Sequence, residues 1–315
     1  MNKRLRRQND KLMMDSEKSL KNVMRENLAI IADNIIMQIM AKESGLSYTQ
    51  KPGAIKGIKA SGINQYKRDL LDLLTVIAYE SIVLANKEVP KAKIQLSEID
   101  YNEILLADND QAKKLQKDKS KRMKTMFNAL PPSVKRRIKL QQELLIKTQI
   151  ADLEKAVFYK FENSINTTDS IKQLKADLSE AAEDYILGNA VNAGSAVTAV
   201  RTINQSKMDF FSDEKVEENI YGYRFVNDFP VNRTPICESL NGTLFKKDDP
   251  SLGKYTPPLH WNCRSRLEPV LIGELSPEEE KKVKPVKVSA TLEKTIQFSE
   301  AIKMWTEGEA NAVRL

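Results

Sequence analysis

Apolar residues recur at steps of three and four from Ser16 to about Lys42, at Leu20, Met24, Leu28, Ile31, Ile35 and Ile39, and predict one long amphipathic helix. The segment Lys51 to Gly62, with Pro52, Gly53, Gly57 and Gly62, reads as a loop. A second helix follows on Ile63, Tyr66, Leu70, Leu73, Leu74, Ile77 and Val83 or Leu84, and Pro90 ends it. Residues 138–162 predict a third helix. Its stripe at Leu140, Leu144, Leu145, Thr148, Ala151 or Asp152, Lys155 and Tyr159 turns from apolar to polar to aromatic. A fourth spans about Ser170 to Leu187 behind an Asp169 or Ser170 cap, and the small-residue run Asn189 to Val200 continues as a closely packed helix toward Arg201.

After Gln205 the pattern changes. Tyr221 to Val226 alternates like a strand, and Pro230, Pro235, Gly242, Pro250, Gly253, Pro257 and Pro258 fill the next stretch with turn formers. Ser276-Pro277-Glu278-Glu279-Glu280 is a helix start that Pro285 cuts short, and a last amphipathic helix is expected from about Thr291 to Thr306 on Leu292, Ile296, Ile302 and Trp305. The expected architecture is mainly α. An elongated N-terminal helical domain (1–205) precedes a small loop-rich α+β module (206–272) and a C-terminal helical tail with an amphipathic helix (273–315).

Composition narrows the classes. With 41% hydrophobic and 30% charged residues in 315, the chain is neither a disordered tail nor a membrane protein, because no apolar stretch approaches the roughly 18 residues that a spanning helix needs. The basic start, Met1 to Arg7, is followed by no apolar run, so no secretory signal is read and synthesis in the cytoplasm is expected. Two cysteines exclude a disulfide scaffold, and a single histidine excludes multi-histidine metal centres.

The net charge of +7 is uneven: residues 206–315 carry 16 basic and 18 acidic side chains, which leaves net +9 on residues 1–205. From Lys113 to Lys139 there are eleven Lys or Arg and one acid, Asp118, around Pro131-Pro132. This run reads as a phosphate-contacting surface on DNA, as a patch for an acidic protein, or as a solvated helix face.

Both cysteines and the only histidine, Cys237, His260 and Cys263, fall within 27 residues in the order C-x22-H-x2-C. Thiolate and imidazole are ligands that Zn²⁺ prefers, and a loop-rich segment gains from a staple, so a structural zinc is one reading. A closed tetrahedral site needs a fourth donor, for which Asp228, Asp248, Asp249, Glu238 or a water is available. The same residues also suit a metal-free core with a thiol pair, or a Cys-His catalytic pair. Arg264 and Arg266 follow the cluster on one side of an extended segment, with Asp228 the expected partner of Arg264.

The run Arg233-Thr234-Pro235-Ile236-Cys237-Glu238-Ser239-Leu240-Asn241-Gly242-Thr243-Leu244-Phe245, followed by Pro257-Pro258-Leu259-His260-Trp261-Asn262-Cys263-Arg264-Ser265, resembles the signature of the phage Mu F-like minor head proteins, or phage head morphogenesis proteins. Asp228 matches the acid that usually precedes the signature in that family, and Arg201-Thr202 matches a dipeptide that closes its small-residue helix. Relatives often carry a further cysteine where this chain has Ser265.

The resemblance implies a non-enzymatic virion component present in few copies, bound to portal and capsid proteins on the capsid interior, and needed for head assembly or genome delivery. The basic helical part would then face packaged DNA or an acidic portal surface. The alternatives are a metal-dependent nuclease or toxin-like enzyme in the Cys-His module, and a zinc-stapled nucleic-acid-binding protein. A nuclease would show several convergent catalytic groups, whereas His260 is the only imidazole here.

Overall fold

The computed structural model describes residues 3–43, 61–90, 112–164, 170–227, 234–260, 263–283, 286–293 and 296, without the side chains of 42, 43, 112–120 and 293. It is mainly helical, with one three-stranded sheet. Helix α1 (Lys3–Glu43) carries the predicted stripe, and Leu20, Met24, Leu28, Ile31, Ile35 and Ile39 are all buried. It begins well before Ser16, since Asn9, Met13 and Ser16 continue the buried face toward the N-terminus with mostly polar residues. Helix α2 (Ile63–Glu88) starts at Gly62, whose φ of 92° suits a residue without a side chain, and buries Tyr66, Leu70, Leu73, Leu74 and Ile77.

Helix α3 (Ala112–Ala129) packs against α2, and α4 (Pro132–Ser164) packs on α1 and α2. Helix α5 (Ile171–Leu187) is capped by the Ser170 hydroxyl, which accepts from the Gln173 N–H, and α6 (Asn189–Phe211) extends the small-residue run well beyond Arg201. Helices α1, α2, α4, α5 and α6 enclose one core, in which the small side chains of α6 let it approach α1 and α2 closely.

The phase of α4 differs from the predicted one. Its buried side runs along Val134, Ile138, Leu145, Ile146, Ile150, Leu153, Val157 and Phe161, while Leu140 and Leu144 are half-buried and Tyr159 is 69% exposed. The cause is three glutamines on the inner face that bond other helices. Gln149 accepts from the Tyr66 hydroxyl, Gln142 donates to the Lys67 carbonyl, and Gln141 donates to the Thr198 carbonyl and accepts from the Thr202 hydroxyl. Satisfied polar groups of this kind occupy core positions that an apolar count assigns to solvent.

Beyond the short helix α7 (Glu214–Glu217), strands β1 (Ile220–Val226), β2 (Leu244–Lys246) and β3 (Arg266–Leu271) form an antiparallel sheet in the order β2-β1-β3. Gly222 lies against β2 so closely that a Cβ would run into the Phe245 carbonyl. Helix α8 (Pro235–Leu240) leads through Gly242, at φ 81°, into β2. Helix α9 (Pro277–Lys282) opens on the Ser276–Glu279 capping box. Of the predicted last amphipathic helix the described residues hold one turn, α10 (Ala290–Glu293), with Leu292 and Ile296 half-buried against the core; its remainder lies outside them.

The observed phase of α4 predicts a contrast in stability. Leu153→Ala should cost about 2–5 kcal/mol, whereas Tyr159→Ala should stay within about 0.5 kcal/mol, as read by denaturant unfolding.

Candidate metal centre and its clamp

Three segments bring Cys237, His260 and Cys263 together. Cys237 sits in the first turn of α8, where Pro235 sets the helix start, and His260 follows the cis Pro257–Pro258 bond. Cys263 turns back on His260 by donating its N–H to the His260 carbonyl at 3.1 Å. The three side chains are 1%, 3% and 0% exposed. Cys237 Sγ lies 3.2 Å from His260 Nε2 and 4.0 Å from Cys263 Sγ, and one ligand atom from each residue falls within 4.8 Å of the others.

Electrostatically the two thiols diverge. Full burial opposes ionisation of Cys263, yet hydrogen bonds from the Cys237 thiol and His260, the His260 charge and the Leu259 backbone hold it well below its ordinary value of 9.0. The hydrogen bond to Cys263, then burial and the charge of Cys263, push Cys237 up, against a smaller opposing pull from the Ser265 and Thr234 hydroxyls. Those two hydroxyls are buried beside the sulfur and make no other hydrogen bond. The group thus brings together an imidazole and two thiols, of which Cys263 ionises the more readily, in one buried spot, and it can hold a metal ion.

Tetrahedral Zn²⁺ with bonds of about 2.3 Å to sulfur and 2.0–2.1 Å to nitrogen places its ligand atoms about 3.6–3.8 Å apart. The observed 3.2 and 4.0 Å bracket that spacing, so the donor set fits such an ion. The acids considered as a fourth donor stand elsewhere. Glu238 and Asp248 are exposed, and Asp249 holds its own turn through Ser251 and the Val286 N–H; Asp228 lies outside the described residues.

The arginines after the cluster grip α1. Both guanidinium nitrogens of Arg264 that reach Glu17 do so at 2.8–3.1 Å, and Arg266, 1% exposed, bonds Asp10 at 2.9 Å and Glu268 at 2.9–3.1 Å. Arg6 then bonds the second oxygen of Glu268 at 3.2 Å. Arg264 is thus partnered by Glu17, while the expected Asp228 lies outside the described residues; both arginines do project to one side, toward α1.

On α1, Arg6, Asp10, Met13 and Glu17 follow steps of four, three and four, so one face presents the whole set. Asn204 of α6 adds a second hold on the same stretch. Its amide donates to the Ser265 carbonyl at 3.2 Å and accepts from the Leu267 N–H at 3.3 Å, acting as an extra strand partner. Apolar counting passed over all of these residues; the polar continuation of the α1 stripe was the signal available.

Two outcomes follow from this geometry. Arg266→Met, which strands Asp10 and Glu268, should cost about 3–5 kcal/mol, while Arg264→Lys, at a half-exposed pair, should cost about 1 kcal/mol or less; thermal and denaturant unfolding measure both.

Because folding lowers the Cys263 pKa, its contribution to stability is fully present above 9.0 and is lost as pH falls through the folded value. In metal-free protein the stability gap between wild type and Cys263→Ser should widen as pH rises toward 9.0 and narrow in acid, and ultraviolet titration should find in the wild type a thiol that ionises below 9.0 and that the variant lacks.

No curated protein and no solved structure matches the chain. A family does: residues 151–268 match the family described as Phage Mu protein F like protein. The matched stretch runs from the middle of α4 through α5, α6 and the sheet, and it contains Cys237, His260, Cys263, Arg264, Arg266 and Asn204. The sequence signature lies inside the matched stretch, and both are similar to the same family.

Proposed function

We infer that the chain is a minor structural protein of a tailed-phage head, acting in head assembly at or near the portal on the capsid interior, and in delivery of the genome. The observation that carries this reading is the family match, which takes in the Cys/His/Cys group and both clamping arginines together. The group reads as a structural zinc site held by Cys237, His260 and Cys263. Zinc would supply a cross-link between α8 and the turn before β3, a job that a module with little core of its own otherwise leaves to hydrogen bonds. The Ser265 hydroxyl, buried beside the Cys237 sulfur and with no hydrogen bond elsewhere, is the group at hand for the fourth position, directly or through a water; Asp228 remains a candidate from sequence.

Burial argues for structure over catalysis. A nuclease must keep one metal position open to substrate, and here all three donors are buried. The basic segment Lys113 to Lys139 is the proposed contact for packaged DNA or an acidic portal surface. Lys121, Arg122, Lys124, Arg136 and Lys139 are exposed there, whereas Arg137 is bound to Asp209 and Gln205. No described helix is long and apolar enough to cross a membrane.

The test combines metal analysis with particle composition. Purified protein should hold one zinc per chain, and chelation or His260→Ala should lower its melting temperature to a common value. Metal binding adds to the stability of the folded module, so loss of the ion should show as that drop in melting temperature. Protein that carries no metal overturns the zinc assignment, and heads lacking the chain overturn the virion reading. Metal-dependent breakdown of DNA would favour the nuclease instead.

A further inference from the structure

Away from the sulfur cluster, one other set of reactive groups is in contact. Asn9 of α1, Glu88 at the end of α2 and Lys207 of α6 meet with 2%, 7% and 2% of their surfaces exposed. Lys207 Nζ lies 2.5 Å from Glu88 Oε1 and 2.7 Å from Asn9 Oδ1, and Asn9 Nδ2 donates to the same Glu88 oxygen at 2.8 Å. One carboxylate oxygen therefore touches both the amine and the amide nitrogen. The other, Glu88 Oε2, is buried without a hydrogen-bond partner. Met13, Leu84, Ile203 and Phe211, each one turn away on the same three helices, are buried and apolar.

We propose that Lys207 and Asn9 form an intramolecular isopeptide bond, with Glu88 carrying the protons. A first proton passes from the Lys207 ammonium to Glu88 and frees the lone pair, which attacks Asn9 Cγ; the new N–C bond forms there. As the bond from Cγ to Nδ2 breaks, Glu88 relays a second proton from the attacking nitrogen to the departing one, which leaves as ammonia. The third proton stays as the N–H of the new amide, and the first stays on Glu88. No oxidant or co-reactant enters, and both charges of the ion pair are extinguished.

Two physical features favour the step. The amine is fixed against the amide carbonyl by the fold, which replaces a bimolecular encounter with a positioned one, and a nucleophilic lysine is activated by apolar surroundings and an adjacent base. A buried ion pair is costly to keep, so its conversion to a neutral amide relieves the core. The bond would join α1 to α6 across 198 positions of chain.

Intact-mass spectrometry of the denatured full chain, followed by peptide mapping, tests it. The expected mass is about 17 Da below that of the sequence, with a branched peptide linking the segment of Asn9 to that of Lys207. Glu88→Gln and Asn9→Ala should each show their full sequence mass. A wild-type chain at full mass overturns the proposal, and so does a loss of about 17 Da with the Lys207 peptide recovered unlinked, which marks a succinimide elsewhere. The wild-type map decides even where a variant fails to fold.

Discussion

A guanidinium almost wholly removed from water is the constraint around which this molecule is arranged. Arg266 cannot shed its charge, so burial at 1% exposure demands partners on more than one side. Glu268 comes from its own strand, but Asp10 comes from the first turns of α1, more than 250 positions away. Arg6 neutralises what Glu268 has left, and Arg264 repeats the contact about two turns further on at Glu17. The strand after the Cys/His cluster is thereby held to the start of the longest helix. The family match covers 151–268, yet two of the three acids that satisfy its two arginines lie outside it, at positions 10 and 17.

The same hold bears on the sulfur cluster. Cys263 is one residue from Arg264 and three from Arg266, and Asn204 pins the backbone at Ser265 and Leu267. Arg264, Arg266, Ser265 and Leu267 all make polar contacts to α1 or α6, so the position of Cys263 is set from the helical body. Cys237, by contrast, is placed locally by α8 and the turn at Gly242, whose N–H bonds the Phe225 carbonyl of β1. A ligand group assembled from one locally placed and one remotely placed thiol is sensitive to both layers of the structure. This accounts for the association of the arginines with the cluster in sequence: Arg264 follows Cys263 because the clamp must act next to the ligand it positions.

Much of this was legible in the sequence, and the part that was not has a common cause. Helices α1, α2, α5 and α6 follow from apolar spacing, the Ser170 cap and the small-residue run, because their buried faces are apolar. The juxtaposition of Cys237, His260 and Cys263 was readable from their proximity in sequence and their chemistry. What failed was everything whose burial is polar. The inner face of α4 was misphased because Gln141, Gln142 and Gln149 are hydrogen-bonded core residues. The first turns of α1 were missed because Asn9, Asp10 and Ser16 occupy its inner side, and Glu17 was passed over as a partner of Arg264 because nothing local points to it. Periodicity reports apolar burial; a polar group enters a core only with a partner, and the partner is a tertiary fact.

Polar partnering also reshapes the positive surface. The eleven basic residues from Lys113 to Lys139 suggest a continuous charged face, but the described ones divide into two sets. Arg137 reaches Asp209 and Gln205 on α6, and Lys135 and Lys139 lie over the Phe127 ring at 5.9 and 5.2 Å, where their charges help to hold α3 against the start of α4 across the Pro131-Pro132 corner. Lys121, Arg122, Lys124 and Arg136 are exposed. A long-range field depends on all of the charges, and so steering of an anionic partner draws on the whole segment. Close contact depends on those that project outward. The count of charges in a run therefore overstates the number of phosphates or carboxylates it engages, and the helix corner that Arg137, Lys135 and Lys139 stabilise is what presents the remaining charges on one rigid surface.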